Sequence, residues 1–384
     1  MPNPFAFATA TEILFGRGQA AAAPFRIAAL GQKVLLVHGS NPARSEWLRR
    51  DLMAAGCEVT DFRVAAEPDM AMIEAGVAAA RSAAVQVVAG IGGGAVIDAG
   101  KAIAALVPAT RPTLDHLEVV GRGLPLDHPP LPFVAMPTTA GTGAEVTRNA
   151  VIGVPEHRRK VSLRDARMLP RLAIVDPALT DLSPRAVTLA SGLDAVTQVI
   201  EPYVCTRANP LTDALCRDAI PRGLAALRRL METEDAQARD EMAWVSLCGG
   251  LALANAGLGA VHGLAGPIGG LTGAAHGAIC GVLLPHVLAA NRNAVTDRAH
   301  AARLDEVAVW IGDAFDLPDA GPRQAADALA GWSRANGLAS LTGLGVDIQA
   351  QHAAAEAAAS SSSMKANPAV LSAATLRGIM EAAE

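Results

Sequence analysis

The stretch VQVVAGIGGGAVIDAGKAIA (residues 85–104) runs from β-branched residues through a glycine cluster into a helical pattern. The short apolar run before the glycines reads as a buried strand over 85–90, and the apolar spacing after Gly94 reads as a helix. Glycine lets backbone N–H groups approach a phosphate with no Cβ in the way, and a helix N-terminus adds partial positive charge. The spacing is not the dinucleotide fingerprint, because Ile97 stands where a third glycine would be. Nor is it a P-loop, because Lys101 is followed by Ala102. Taken alone, such a turn serves equally as a plain tight turn or as a phosphate cradle.

Its neighbours repeat the rhythm. KVLLVHGS (33–40) and EVTDFRV (58–64) read as strands, as do PFVAMPTT (132–139) and LAIVDP (172–177). RSEWLRRDLMAAG (44–56) is an amphipathic helix closed by Gly56, and MAMIEAGVAAARSA (70–83) is a second helix. Strands alternating with helices at this spacing imply a parallel sheet covered on both faces, with ligands beyond the carboxyl ends of the strands. From about residue 183 the strand runs stop. SPRAVTLASGLDAVTQVIEPYV (183–204) opens with Ser183 as N-cap and Pro184 at the first helical position. A second helical pattern over 209–231 is expected to be interrupted at Pro221, and the serine run 360–363 reads as a loop. The expected fold class is therefore an α/β domain (1–182) followed by an all-helical domain (183–384).

Two further features carry chemistry. MPTTAGTGAEVT (136–147) follows another strand with Thr138, Thr139 and Thr142 among glycines, and two such loops after separate strands favour a phosphate or ribose ligand. Asp194 and Gln198 stand four apart on one helix face. His262 and His276 would lie about 21 Å apart on a continuous helix, but Pro267, Gly269, Gly270 and Gly273 are expected to break it and let the imidazoles fold back. One carboxylate and two imidazoles suit Fe2+ or Zn2+ with an open position, or a protic polar pocket.

Bulk properties exclude several classes. A net charge of −5, with EHRRK (156–160) the densest basic run, gives no surface for nucleic acid. No apolar run is long enough to span a membrane; the nearest, 247–270, is rich in glycine and reads as a buried helix pair. The five cysteines are odd in number and scattered, as in a reduced cytoplasmic protein, and the N-terminus lacks a signal-peptide pattern.

Four motifs in order, GGGAVIDAGKAI (92–103), PTTAGTGAEVT (137–147), SGLDAVTQVIEPY (191–203) and GAVHGLAGPIGGLTGAAHGAICGVLLPHVLAAN (259–291), resemble the iron-containing (group III) alcohol dehydrogenases over nearly the whole chain. The resemblance implies a Rossmann-like α/β domain, an all-α domain of dehydroquinate synthase-like architecture, a cleft between them, and a homodimer. It implies NAD or NADP contacts at Gly93, Gly94, Ala95, Asp98, Thr138, Thr139, Thr142, Lys160 and Leu179. Asp194, His262 and His276 match metal ligands, and Gln198 stands where the family has a histidine. Gly266 replaces a substrate-side histidine, and Gly39 stands where an acidic residue would hold the ribose, so NADP is open to the chain. A glutamine carbonyl is a weak ligand, which leans toward the metal-independent maleylacetate reductases of the same family. His262 and His276 would then act as catalytic hydrogen-bond donors to a developing alkoxide.

The function expected is interconversion of a small alcohol and its carbonyl compound, with a dinucleotide as hydride carrier. A cyclase of the dehydroquinate synthase type needs a basic phosphate site that the helical half lacks. A nucleotide-binding protein without catalysis ranks behind both, because Asp194, His262 and His276 are all present.

Overall fold

The computed structural model describes residues 4–359 and 361–384. The described residues divide into two compact units, one formed by Thr9–Thr139 with Gly143–Thr180, the other by residues 4–8, Ala140–Thr142, 181–359 and 361–384.

The first unit is built on strands β1 (Ile13–Phe15), β2 (Lys33–His38), β3 (Glu58–Arg63), β4 (Val87–Gly92), β5 (Phe133–Pro137), β6 (Asn149–Val154), β7 (Arg159–Arg164) and β8 (Leu172–Val175). Helices α1 (Ala23–Ala28), α2 (Glu46–Ala54), α3 (Met70–Ser82), α4 (Gly94–Leu106) and α5 (Thr113–His116) join them. Six strands form one sheet in the order β1-β8-β5-β4-β2-β3, every pairing parallel. Alternate residues of β2 show why both faces are covered. Val34 and Leu36 pack with Ile27 of α1 and Leu48 and Leu52 of α2. Leu35 and Val37 pack with Ile73 and Val77 of α3 and Ile97 and Ile103 of α4. Side chains that alternate across a strand, all of them apolar, require this two-sided burial. From β2 the chain moves outward to β3, then back across to β4, so the strand order reverses between β2 and β4. That reversal is where doubly wound sheets bind nucleotides.

Three strands escaped the sequence reading. β1 has only three residues. β6 and β7 form an antiparallel hairpin, with Ala150, Ile152, Val161 and Leu163 buried beside α4. The basic run 156–160 is the turn of that hairpin and the start of β7. Strand β4 begins and ends two residues later than expected, because the ladder with β5 continues until Gly92 pairs with Pro137.

The second unit is helical: α6 (Arg185–Val204), α7 (Pro210–Glu232), α8 (Ala236–Asn255), α9 (Ala260–Thr272), α10 (His276–Ala294), α11 (Arg298–Ala314), α12 (Pro322–Ala335), α13 (Ile348–Ala358) and α14 (Ala373–Ala382) share one apolar core. Helix α6 starts one residue later than expected: Pro184 is its N-cap, and the Ser183 hydroxyl caps nothing. Helix α7 runs unbroken through Pro221. A proline costs a helix interior about 3 kcal/mol, and the buried Ile220, Leu224 and Leu227 around it offset that. Likewise α9 continues through Pro267, Gly269 and Gly270, and only Gly273, at φ 72°, ends it. Ser360 lies outside the described residues; Ser361–Ser363 follow α13 and lead into a short turn at Met364–Ala366. Among the described residues no single helix is long and apolar enough to cross a membrane; α8 and α9 reach that length only as a pair bent by 96°.

Candidate active site

In the α/β unit, the pairing of His38 with Ile91 sets Gly39 and Gly92 side by side at the switch point. A Cβ on Gly92 would stand 2.5 Å from Val96 Cγ2, so the turn into α4 closes only with glycine there. Gly93 caps α4 without a side-chain hydrogen bond, and Gly93, Gly94 and Ala95 are half-buried. The first-turn N–H groups of a helix have no intrahelical acceptor, so this turn presents donors to an anion. From the end of β5, the Thr138 amide donates to the Gly92 carbonyl (2.9 Å). The Thr139 hydroxyl lies 3.4 Å from where a Gly93 Cβ would be. Gly39, Gly93, Gly94, Ala95, Thr138 and Thr139 thus gather at the carboxyl ends of neighbouring strands β2, β4 and β5.

The remaining cofactor candidates lie elsewhere. Asp98 accepts from the Val151 amide (3.0 Å) and pairs with buried Lys101 (3.1 Å), so it ties α4 to the hairpin. Burial pushes the Asp98 carboxyl up and the Lys101 ammonium down from their ordinary values. Lys160 sits on β7 with its Nζ 3.5 Å from Glu67. Leu179 lies in a short turn after β8 and packs on the core beneath α1 and α2. Thr142 belongs to the helical unit, where its carbonyl accepts the Gln198 side-chain N–H.

In that helical unit Asp194 of α6, His262 of α9 and His276 of α10 converge. His262 Nε2 lies 3.5 Å and His276 Nε2 3.9 Å from Asp194 Oδ1, and the two rings are 5.4 Å apart. A fourth donor went unread in the sequence. Cys280, one turn after His276 on α10, places its Sγ 3.7 Å from His276 Nε2 and 3.9 Å from His262 Nε2. One donor atom from each of the four lies within 4.8 Å of all the others. Tetrahedral Zn2+, with bonds of about 2.0 Å to N or O and 2.3 Å to S, has donor–donor edges of roughly 3.3–3.6 Å. The Asp194–His262, Asp194–His276, Cys280–His276 and Cys280–His262 separations of 3.5–3.9 Å come within a few tenths of an ångström of such edges, while the cluster as a whole spans up to 4.8 Å.

Glu201 also escaped notice. Its carboxylate takes the His262 Nδ1 contact at 2.6 Å and the Val261 amide at 2.7 Å, which turns His262 Nε2 toward Asp194. Asp194, Gln198 and Glu201 follow the i, i+4, i+7 spacing of one helix face, and His276 and Cys280 the i, i+4 spacing of another. Those spacings were the available signal.

The electrostatics suit a cation. Burial opposes charge on His262, but the Cys280 sulfur, Asp194 and Glu201 outweigh it and hold the imidazole well above its usual value. His276 is pushed up to about 9, chiefly by its electrostatic interaction with the Cys280 sulfur and against burial. Burial also opposes charge on Asp194, yet the two histidines keep it below the ordinary carboxylate range. Asp194 Oδ1 is nonetheless buried with no hydrogen-bond partner. A buried anionic oxygen is costly unless paired. An orphaned carboxylate oxygen facing two imidazoles and a sulfur fits a divalent metal ion.

A doubly wound sheet with a glycine turn at its switch point, joined to a helical unit with this donor set, defines a nucleotide-dependent oxidoreductase of two-unit design. Residues 10–177 match the family described as iron-containing alcohol dehydrogenase, and residues 188–384 match the C-terminal family of the Fe-containing alcohol dehydrogenases. The chain belongs to the iron-containing alcohol dehydrogenase family. It is 34% identical over 305 residues to an NAD-dependent methanol dehydrogenase of Bacillus methanolicus, covering 76% of this chain and 77% of that one. A 1,3-propanediol dehydrogenase of Klebsiella pneumoniae is 39% identical over 238 residues, 62% of this chain and 60% of the relative. The crystal structure of a 1,3-propanediol oxidoreductase superposes with a TM-score of 0.87 at 29% identity, covering all of both chains.

Proposed function

We propose that the protein is an NAD(P)-dependent oxidoreductase that interconverts a small alcohol and its aldehyde, ketone or oxo acid. The observation that carries this reading is the convergence of Asp194, His262, His276 and Cys280 within 4.8 Å around an unpaired carboxylate oxygen. When bound, the nicotinamide supplies or accepts hydride, and a divalent ion held by this cluster polarises the substrate oxygen. The chain's own residues do the rest. The first-turn amides of α4 and the Thr138 and Thr139 segment bind the dinucleotide phosphates. Glu201 orients His262, and Asp194 holds the site negative enough to retain a cation. The side chain of His276 is one-third exposed, against 6% for His262, so substrate meets the cluster on the His276 side.

The metal-independent, maleylacetate reductase-like reading rested on Gln198, a neutral amide whose N–H is engaged by Thr142. The fourth donor at Cys280 favours the metal-assisted reading instead. Gly39 at the end of β2 leaves NADP admissible beside NAD.

Purified protein incubated with NADH or NADPH and a panel of aldehydes and 2-oxo or 4-oxo acids is expected to oxidise the nucleotide. His276→Ala is expected to abolish that turnover and leave nucleotide affinity unchanged, since the binding turn belongs to the other unit. No nucleotide binding by calorimetry, or full turnover in His276→Ala, would overturn the proposal.

A further inference from the structure

We propose that Cys280 is the fourth metal ligand of this protein, standing in for the histidine absent at Gln198, and that its thiolate makes the site select Zn2+ over Fe2+. The inference rests on the reading of the cluster as a metal site and goes beyond it by naming the ligand and the ion.

Position comes first. Residue 280 lies one turn beyond His276, on the same face of α10, so a donor there approaches the cluster on a rigid element. Its Sγ stands 3.7 and 3.9 Å from the two Nε2 atoms. With a bond of about 2.3 Å to sulfur and 2.0 Å to nitrogen, the S–N edge of a tetrahedron is about 3.5 Å. Movements of a few tenths of an ångström, within reach of side-chain torsions, close the difference.

An ordinary buried thiol is the competing explanation. Cys205, Cys216 and Cys248 are also buried, and burial dominates the environment of each, pushing their thiols up. Cys280 is equally inaccessible, yet it faces two imidazoles and the orphaned Asp194 oxygen. A sulfur placed there as a ligand pairs that oxygen, because the same ion bonds both.

The chemistry sets the preference. On metal binding the thiol and any imidazolium lose their protons to solvent, and the sulfur, two nitrogens and carboxylate oxygen donate to one ion. Thiolate is a soft ligand that suits Zn2+, and the intrinsic stability order already sets Zn2+ above Fe2+. Zn2+ also tolerates a fifth ligand, which leaves room for a substrate oxygen on the exposed His276 side.

The test uses the full chain, stripped of metal and titrated with Co2+ as a spectroscopic substitute. The expected result is a near-ultraviolet thiolate-to-cobalt charge-transfer band that saturates at one ion per chain. Cys280→Ser is expected to abolish the band and to weaken Zn2+ binding, measured against a chelator, by more than about 100-fold, the upper end of losing an outer-shell partner. Fe2+ binding should fall less. Circular dichroism establishes that the variant is folded; should it not fold, the band in the parent protein still decides. Co2+ bound without a charge-transfer band, no Co2+ bound at all, or equal Zn2+ affinity in folded Cys280→Ser overturns the inference. Carbonyl reduction by the parent protein is measured separately, so failure of the ligand assignment is distinguishable from failure of the oxidoreductase reading.

Discussion

Glu201 never touches the cluster's centre, yet it determines which nitrogen His262 offers. With its carboxylate on Nδ1, the ring presents Nε2 to Asp194 and Cys280. Outer partners of this kind are worth about 10–100-fold in metal affinity. Glu201→Gln is therefore expected to weaken Zn2+ retention by about that factor, read by chelator competition, while nucleotide affinity stays constant. At the other site, Gly39 has ordinary space around it: a Cβ would meet only Val96 Cγ2 at 3.9 Å, with no left-handed backbone to strain. Gly39→Asp should consequently fold normally, and its carboxylate should repel a 2′-phosphate. The ratio of kcat/KM for NADPH to that for NADH is expected to drop about tenfold, equivalent to roughly 1.4 kcal/mol; an unchanged ratio would mean the ribose lies elsewhere. Asp194, His262 and His276 were legible because each is an uncommon polar residue in an apolar helical pattern. Cys280 and Glu201 were not. A buried cysteine reads as core, and a glutamate beside Pro202 carries no metal spacing until its helix face is known.

Helix α10 can bring His276 and Cys280 to Asp194 only by lying very close to α6. Gly277 is the reason: a Cβ there would stand 2.4 Å from the Ala190 carbonyl oxygen and 3.3 Å from Asp194 Cβ. One turn on, a Cβ at Gly281 would stand 2.6 Å from Leu193 Cδ1. Gly277→Ala forces the helices apart and is expected to cost about 1–3 kcal/mol by overpacking. It should also weaken Zn2+ binding, because His276 and Cys280 both move away from Asp194. Thermal melting and chelator competition check the two effects, and an unchanged pair of values would refute this account of the α6–α10 contact. The elements themselves were mostly readable where apolar period was strong. The parallel strands other than the three-residue β1, and α2, α3 and α4, were all expected. The β6–β7 hairpin was missed because its alternating pattern is interrupted by a charged turn at 155–158. Pro221 and Pro267 misled for a physical reason: local propensity disfavours a helical proline, while burial on both sides of it stabilises the helix.

At the scale of the whole molecule, Glu145 is a titratable group buried deep in the α/β unit. Its carboxyl is 2% exposed, its Oε1 has no partner, and burial raises it to about 7. The folded state thus binds this proton more tightly than the unfolded chain, where a glutamate titrates near 4.3. Folding stability is therefore lost as pH rises from about 4.5 to 7, by up to about 3 kcal/mol from this group. Glu145→Gln removes that dependence, so the variant should melt above the parent at pH 8 and level with it near pH 4.5; equal melting at both would refute the assignment. The two-unit design could be foreseen, since strand runs end where helices begin. The sheet order could not, because strand neighbours are a property of crossover connections that composition does not record. The donor cluster joins α6 to α9 and α10, segments separated by the whole of α7 and α8. An ion held there acts as a cross-link that closes a long loop and lowers the entropy gained on unfolding. Chelation is accordingly expected to split the calorimetric melt, lowering the transition of the helical unit and leaving that of the α/β unit in place.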